Sequence, residues 1–295
     1  MKKDCGFLLL FSASLLTGCA SSSSVASLPS PVSVPQTTPE TSTSNTPTTK
    51  SWRITPTSQV YSYSSLLVTV TTQADTPGVR RDSLTAHTAY SISTTRNSDS
   101  LFFSGAITSF TVQSTLPKTD EARLTFPIIF TGTVSSHNAH TQSSNNRLEN
   151  TKPCEDISQV PLRTVQRNLF LLPLEILTHN SWSDSTTSLV CSGTMPLIVT
   201  SVRTLHVTGE TDFEGIPALV FEESEKTFSK GEGFQGQHRI FVESVGITDG
   251  HFYADRATGS LLASNTRNMT TLSVQSSGRI QHFLQSSTEV TQRAR

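Results

Sequence analysis

Charged side chains make up only 15% of the 295 residues, and no run of lysine and arginine occurs among them. A nucleic-acid surface needs such a run to displace counterions, so nucleic acid is not expected as a partner. Cysteine is scarce as well: Cys5, Cys19, Cys154 and Cys191 are the whole set, and no C-x-x-C pair occurs to suggest a zinc site. The apolar run near the start, Phe7 to Leu16, is about ten residues long, where a membrane-crossing helix needs about 20. No G-x-S-x-G turn is present to seat a nucleophilic serine. What the chain has in abundance is serine and threonine. With few strong helix formers beside them, this balance fits an exported β protein.

Lys2 and Lys3 precede the short apolar run, and Leu16-Thr17-Gly18-Cys19 ends it. A basic head followed by a short apolar core is a secretory signal rather than a stable anchor. The tetrad resembles the lipobox of bacterial lipoproteins, with small residues at the cleavage point and cysteine directly after. That resemblance implies that residues 1–18 are removed and that the Cys19 sulfur carries a diacylglyceryl group. A thiolate suits such alkylation because it is the most nucleophilic side chain under mild conditions. Each buried CH₂ then contributes about 0.8 kcal/mol, and two or more chains hold where one is marginal. Ala20, not Asp, follows the cysteine, which by analogy with lipoprotein sorting points to the periplasmic face of the outer membrane. The plain alternative is an ordinary signal-peptidase site with Cys19 incidental. Loss of Lys2, Lys3 and Asp4 takes the formal charge from −1 to −2.

Residues 19–50 follow as a tract of Ser, Thr and Pro, with Pro29, Pro31, Pro35, Pro39 and Pro47 spread through it. It offers too little apolar surface to offset ordering entropy, so it reads as a tether. At ~3.1 Å per residue its reach is on the order of 90 Å. Of the cysteines left after processing, Cys154 and Cys191 are expected to pair in an oxidising compartment. Closing that loop is worth roughly 4 kcal/mol in the chain-entropy model. Two buried thiols are the alternative.

Residues 51–292 read as a single all-β domain, with 293–295 a tail. Leu84, Ala86, Thr88, Tyr90 and Ile92 alternate with smaller polar residues, the period of a half-buried strand. Leu124, Phe126, Ile128, Phe130 and Val134 do the same, and Pro127 within that run predicts an edge or a bulge. Phe102, Ala106, Phe110 and Val112 are expected to share one face, and Tyr61 to Thr72 supplies another strand of this meander. Ser136 to Lys152 reads as a polar loop. Leu162, Val165, Leu169 and Leu172 then fall at helical spacing, with Pro161 in the first turn, Pro173 as the stop, and Arg163 and Arg167 on another side. From Trp182 onward eight further strands are expected, with turns at Gly209, Asp212–Gly215, Gly231–Gly236, Asp249-Gly250, Thr258-Gly259 and Ser277-Gly278. The class is mainly β: a long curved antiparallel sheet, an unclosed β-barrel, with one amphipathic helix on its concave face.

The helix stop at Leu171-Leu172-Pro173, the Ser181-Trp182-Ser183 that follows, and the hairpin running from Gly246 to Leu261 together resemble exported bacterial domains whose sheets curl as in the LolA/LolB lipoprotein carriers and the LppX/LprG-type lipoproteins. The resemblance covers residues 52–292 as architecture and carries no functional residue over. It implies a concave cavity that could take a lipid, although this chain has one helix where the carriers have several.

Candidate chemistry is thin. Gly231-Glu232-Gly233-Phe234-Gln235-Gly236 matches G-x-G-x-x-G, but the dinucleotide motif requires a helix to follow, whereas His238 to Val242 continues as a strand, so a glycine-rich β-turn is the expected structure. His137, His140, Cys154 and Asp156 are too sparsely supported for a metal centre, and no metal or cofactor is expected. Glu222, Glu223 and Glu225, near Lys226 and Lys230, read as a solvated strand end rather than as an acid and base pair. Phe102, Phe110, Phe126, Phe130, Leu169 and Phe221 are the candidates for lining an apolar ligand pocket, with ordinary core packing as the alternative. No catalytic residue is assigned. The expected function is a non-enzymatic lipoprotein, attached to the membrane through acylated Cys19, that binds a hydrophobic ligand or an envelope protein; a structural module of the envelope comes next, and a hydrolase after that.

Overall fold

A computed structural model describes residues 50–74, 81–97, 100–115, 124–135, 139–143, 154, 159–169, 171–178, 180–192, 195–235 and 237–294. In chain order the strands are β1 (Ser51–Arg53), β2 (Val60–Gln73), β3 (Arg81–Asn97), β4 (Ser100–Ser114), β5 (Ile128–Ser135) and β6 (Ala139–Ser143). The helix α1 (Gln159–Arg167) comes next. It is followed by β7 (Glu175–Leu177), β8 (Ser181–Ser192), β9 (Met195–Phe213), β10 (Ile216–Gln235), β11 (His238–Asp255), β12 (Leu261–Ser276) and β13 (Arg279–Arg293). Eleven strands form one antiparallel sheet in the order β6-β5-β4-β3-β2-β13-β12-β11-β10-β9-β8, while β1 and β7 pair separately. The sheet curls strongly into an open half-barrel. Its two edges are β6 and β8.

The curl follows from the alternation of side chains. In β3, Leu84, Ala86, Thr88, Tyr90 and Ile92 are all buried on the inner face. In β13 the same parity carries Phe283, Gln285, Ser287, Glu289 and Thr291 inward, with Leu284 and Val290 outward. The inner face is layered. One apolar cluster, including Phe103, Ile107, Phe130, Leu205, Phe221 and Phe252, packs around Leu162 and Val165 of α1. A second, with Leu197, Ile240, Val242, Leu272, Val274 and Phe283, lies toward the other end of the strands. Polar inner-face residues separate them.

α1 is shorter than its apolar stripe predicts. Asn168 ends it: its Nδ2 donates to the Thr164 carbonyl at 2.8 Å, and the Asn168 and Leu169 amides make turns back to Val165 and Gln166. Leu169 and Leu172 are still buried, but from the segment after the helix. Asn168 also fastens α1 to the sheet. Its Nδ2 donates to Thr291 Oγ1 at 3.0 Å and its Oδ1 accepts from Ser264 Oγ at 2.8 Å.

Several expected boundaries shift. Phe102, Ala106, Phe110 and Val112 do not share a face, because the β3–β4 register slips between Ala89 and Tyr90 and leaves Thr108 unpaired. One extra residue reverses the alternation beyond it, so Phe102 and Ala106 point outward while Phe110 and Val112 align with inward positions. Pro127 lies just before β5 rather than within it. Part of the loop from Ser136 to Lys152 is the edge strand β6, paired with β5. Gly209, Gly231 and Asp249-Gly250 are mid-strand, and the eight expected strands after Trp182 are six longer ones, because β11 runs through Asp249-Gly250 and β12 runs unbroken from Leu261 to Ser276. Gly231 is a glycine for close approach, since a Cβ there would stand 2.3 Å from the Pro196 carbonyl oxygen.

Candidate functional site

The middle of the concave face is set by strand register. One row across the sheet reads Trp182, Leu205, Glu223, Gly250, Thr266, Glu289, and the next reads Asp184, Arg203, Glu225, Thr248, Asn268, Ser287. Opposed residues in a sheet share a face, so all twelve look into the curl. Glu222, Lys226 and Lys230 have the other parity and are exposed on the convex side. The acidic stretch is therefore not one solvated face, because β10 sends Glu223 and Glu225 inward beside Phe221. Thr248, Gly250, Thr266 and Asn268 are only half-buried, so they form the floor of a trough that solvent reaches.

Two arginines enter this trough, each with its own carboxylate. Arg203 on β9 makes a two-armed contact with Asp184 on β8, Nε to Oδ1 at 3.3 Å and Nη2 to Oδ2 at 2.7 Å. Arg167, at the end of α1, donates to Glu289 Oε2 at 2.9 Å. Glu289 Oε1 in turn accepts from Ser65 Oγ at 3.1 Å, and Ser65 accepts from Thr291 at 3.0 Å. The Arg167 side chain is 53% exposed, although the sheet curls around it. It lines a hollow open to water. Burial works against both guanidinium charges, yet the paired carboxylates, with Glu223 and Glu225 nearby, hold Arg167 and Arg203 above the usual arginine value. Arg163, one turn back on α1, is pushed down to about 10 by burial and by Arg167.

Glu223 is different. Only 8% of it is exposed, and among the described residues no hydrogen-bond donor meets its carboxylate. Burial pushes its pKa up to about 7, Arg203 and Arg167 pull it down, and Glu225 and Asp184 push it further up. A buried carboxylate is ordinarily hydrogen-bonded or paired. This one faces a solvent-reached hollow with its neighbours' cations already engaged.

The six apolar candidates do not converge. Phe130 and Phe221 are fully buried, Leu169 joins them in the core, and Phe126 packs against it. Phe221 stacks on Phe252 with centroids 4.4 Å apart and takes the edge of Trp182 at 5.9 Å. Phe110 is half-buried, and Phe102 is 45% exposed on the convex face. Beside α1, between Tyr63, Tyr90, Val165, Leu169 and Leu261, the cavity amounts to about 70 Å³. Ligand pockets generally run to about 300–1,000 Å³, so this space suits a few waters rather than a lipid.

The other candidates resolve as follows. Gly231 to Gln235 is strand, followed by β11 and not by a helix, so the dinucleotide reading lacks its structural context. His137 and Asp156 lie outside the described residues, as does Cys19. His140 lies on β6 opposite Thr133, and no metal-holding group of three or more His, Cys, Asp or Glu occurs among the described residues. Cys154 precedes α1 and Cys191 pairs with Pro196 at the end of β8, but the Cys191 side chain lies outside the description. Serine–histidine contacts at Ser273–His282 (3.0 Å) and Ser277–His238 (2.9 Å) are exposed near hairpin ends, away from the trough.

No family model matches the chain, and no curated protein matches it. Among solved structures, OpdK of Pseudomonas aeruginosa with vanillate aligns over 79% of this chain and 98% of its own, at 8% identity and a TM-score of 0.15. So low a score carries no argument. No described helix is long and apolar enough to cross a membrane.

Proposed function

We propose that this chain is a non-enzymatic bacterial envelope lipoprotein, anchored by acylated Cys19 to the periplasmic face of the outer membrane, whose half-barrel is a binding module. The reading of the anchor rests on Leu16-Thr17-Gly18-Cys19 and on the Ser/Thr/Pro tether behind it. The observation that supports binding is Glu223, a nearly buried carboxylate that has no hydrogen-bond partner among the described residues and looks into an open trough. Of the two occupants first considered, an envelope partner is favoured over a hydrophobic ligand, because α1 leaves only about 70 Å³ beneath it. A Cys154–Cys191 disulfide belongs to the same reading, and peptide mapping with and without reductant tests it.

The deciding experiment is labelled palmitate fed to cells making the full chain or Cys19→Ser. Label on the wild type that disappears in the variant supports the anchor; no label, or undiminished label on Cys19→Ser, overturns it. A second reading, a structural module of the envelope, is favoured by the convex face. There Phe228 lies opposite Val245 and Ile247 opposite Met269, all exposed. Cross-linking in cells from positions on that face would recover a stable protein partner if that reading holds.

A further inference from the structure

The trough has an unusual charge balance. Asp184, Glu223, Glu225 and Glu289 face it from β8, β10 and β13, against Arg203 from β9 and Arg167 from α1, with Arg163 one turn back on α1 beside Arg167, while β11 and β12 contribute only neutral Thr248, Gly250, Thr266 and Asn268. Arg203 and Arg167 are held by Asp184 and Glu289. The carboxylates of Glu223 and Glu225 make no hydrogen bond to a described residue, and they stand two residues apart on one face of β10. The floor beside them is polar: Asn268 Nδ2 donates to Thr248 Oγ1 at 2.8 Å, and Thr270 Oγ1 donates to Asn268 Oδ1 at 2.7 Å.

We propose that this trough is a binding site for a primary alkylammonium group, seated between the carboxylates of Glu223 and Glu225 with the threonine and asparagine oxygens of the floor as further acceptors. Three hydrogens on a compact ammonium match several acceptors spread around a hollow. An anion is a poor fit, because the guanidinium groups of Arg203 and Arg167 already have carboxylate partners. A metal ion is also a poor fit, since no three suitable ligands gather among the described residues. Binding requires Glu223 ionised, and the arriving cation favours its ionisation, so uptake releases a proton wherever Glu223 is protonated beforehand. The assignment rests on the reading of the half-barrel as a binding module and names what that module holds.

The test is calorimetric titration of the full lipidated chain, in non-ionic detergent and phosphate buffer, with 1,5-diaminopentane at pH 6 and pH 8. The amine stays protonated throughout, so any pH dependence belongs to the protein. The wild type should bind about tenfold more tightly at pH 8 than at pH 6, as one proton linked to a carboxyl titrating near 7 requires. Glu223→Gln should weaken binding at pH 8 by tenfold or more and abolish the pH dependence, Glu225→Gln should weaken it, and Glu222→Gln on the convex face should change neither. Absence of binding by the wild type, equal binding by Glu223→Gln, or uptake of calcium in place of the diamine overturns the assignment. Should the wild type ignore the diamine yet still yield an envelope partner cross-linked from positions in the trough, only the ammonium assignment falls and the binding module stands.

Discussion

Replacing Glu223 by glutamine should make the protein more stable, and only at the upper end of the pH range. The carboxyl goes from an ordinary 4.5 to about 7 on folding, mainly because burial disfavours its charge. Below pH 4.5 it is protonated in both states and costs nothing. As the pH rises from 4.5 to 7 the unfolded chain releases the proton first, so folding becomes less favourable, and above 7 the full penalty stands. At 1.36 kcal/mol per pKa unit the penalty is about 3 kcal/mol, an upper bound because water reaching the trough screens the charge. Glutamine keeps the shape without the charge. For a domain of this size each kcal/mol moves Tm by about 2–4 °C, so Glu223→Gln should melt roughly 6–12 °C above the wild type at pH 8 and level with it at pH 4.5. Urea unfolding followed by the fluorescence of Trp52 and Trp182 gives the same comparison at fixed temperature. The buffer should contain no primary amine, and Glu222→Gln on the outer face serves as the unaffected control. A variant that loses stability at pH 8, or gains as much at pH 4.5 as at pH 8, would refute the reasoning, because the carboxylate would then be engaged in a native interaction.

Other positions give sharp expectations of the opposite sign. Arg167→Met strips the cation from Glu289, whose side chain is 5% exposed, and should cost about 1–3 kcal/mol in urea unfolding at pH 7, since water reaches the arginine and Ser65 stays bonded, with most of it recovered by adding Glu289→Gln. Gly105→Ala puts a Cβ 2.1 Å from the Ser91 carbonyl oxygen and 2.6 Å from Phe130 Cζ, and should cost about 1–3 kcal/mol or more. Gly209→Ala, with nothing within 4 Å of its Cβ, should leave the unfolding midpoint nearly unmoved.

The architecture was legible wherever one face of a strand is apolar. The alternation from Leu84 to Ile92 names its inward residues, and the stripe through Leu162 and Val165 places the helix against the sheet. Legibility failed where pairing overrides local preference. Gly209 and Asp249-Gly250 carry turn chemistry, yet pairing with β10 keeps Gly209 extended, and pairing with β10 on one side and β12 on the other does the same for Asp249-Gly250. The bulge at Thr108 has no local signature and reverses the faces of every residue beyond it, which is how Phe102 came to be grouped with Phe110. The trough was missed for a related reason. Glu222, Glu223 and Glu225 look like one acidic stretch until parity divides them, and the clue was present in Phe221, two residues before Glu223 on the same face. Asp184, Arg203, Arg167 and Glu289 come from four separate elements, and only register and the docking of α1 bring them together.

The polar band of the concave face is built from two hydrogen-bonded arrangements with Glu223 between them. Arg167, Glu289, Ser65, Thr291 and Asn168 form a connected hydrogen-bonded set that locks the end of α1 onto β2 and β13, so those buried polar atoms are satisfied and their burial is compensated. Arg203 and Asp184 compensate each other in the same way. Glu223 sits within reach of both arrangements and is bonded by neither, so at neutral pH the fold carries a buried carboxylate whose burial outweighs the pull of Arg203 and Arg167. A domain's whole margin is about 5–15 kcal/mol, and a penalty approaching 3 kcal/mol is a substantial part of it. Nothing in the packing of β10 requires an acid at that point, since glutamine would fill the same volume. A cation delivered to the trough converts the unfavourable charge into a paired one, so stability given up in the empty protein is regained when it is occupied. That coupling gives the free half-barrel a lower Tm than the ligand-bound one at pH 8, with the difference reduced in Glu223→Gln.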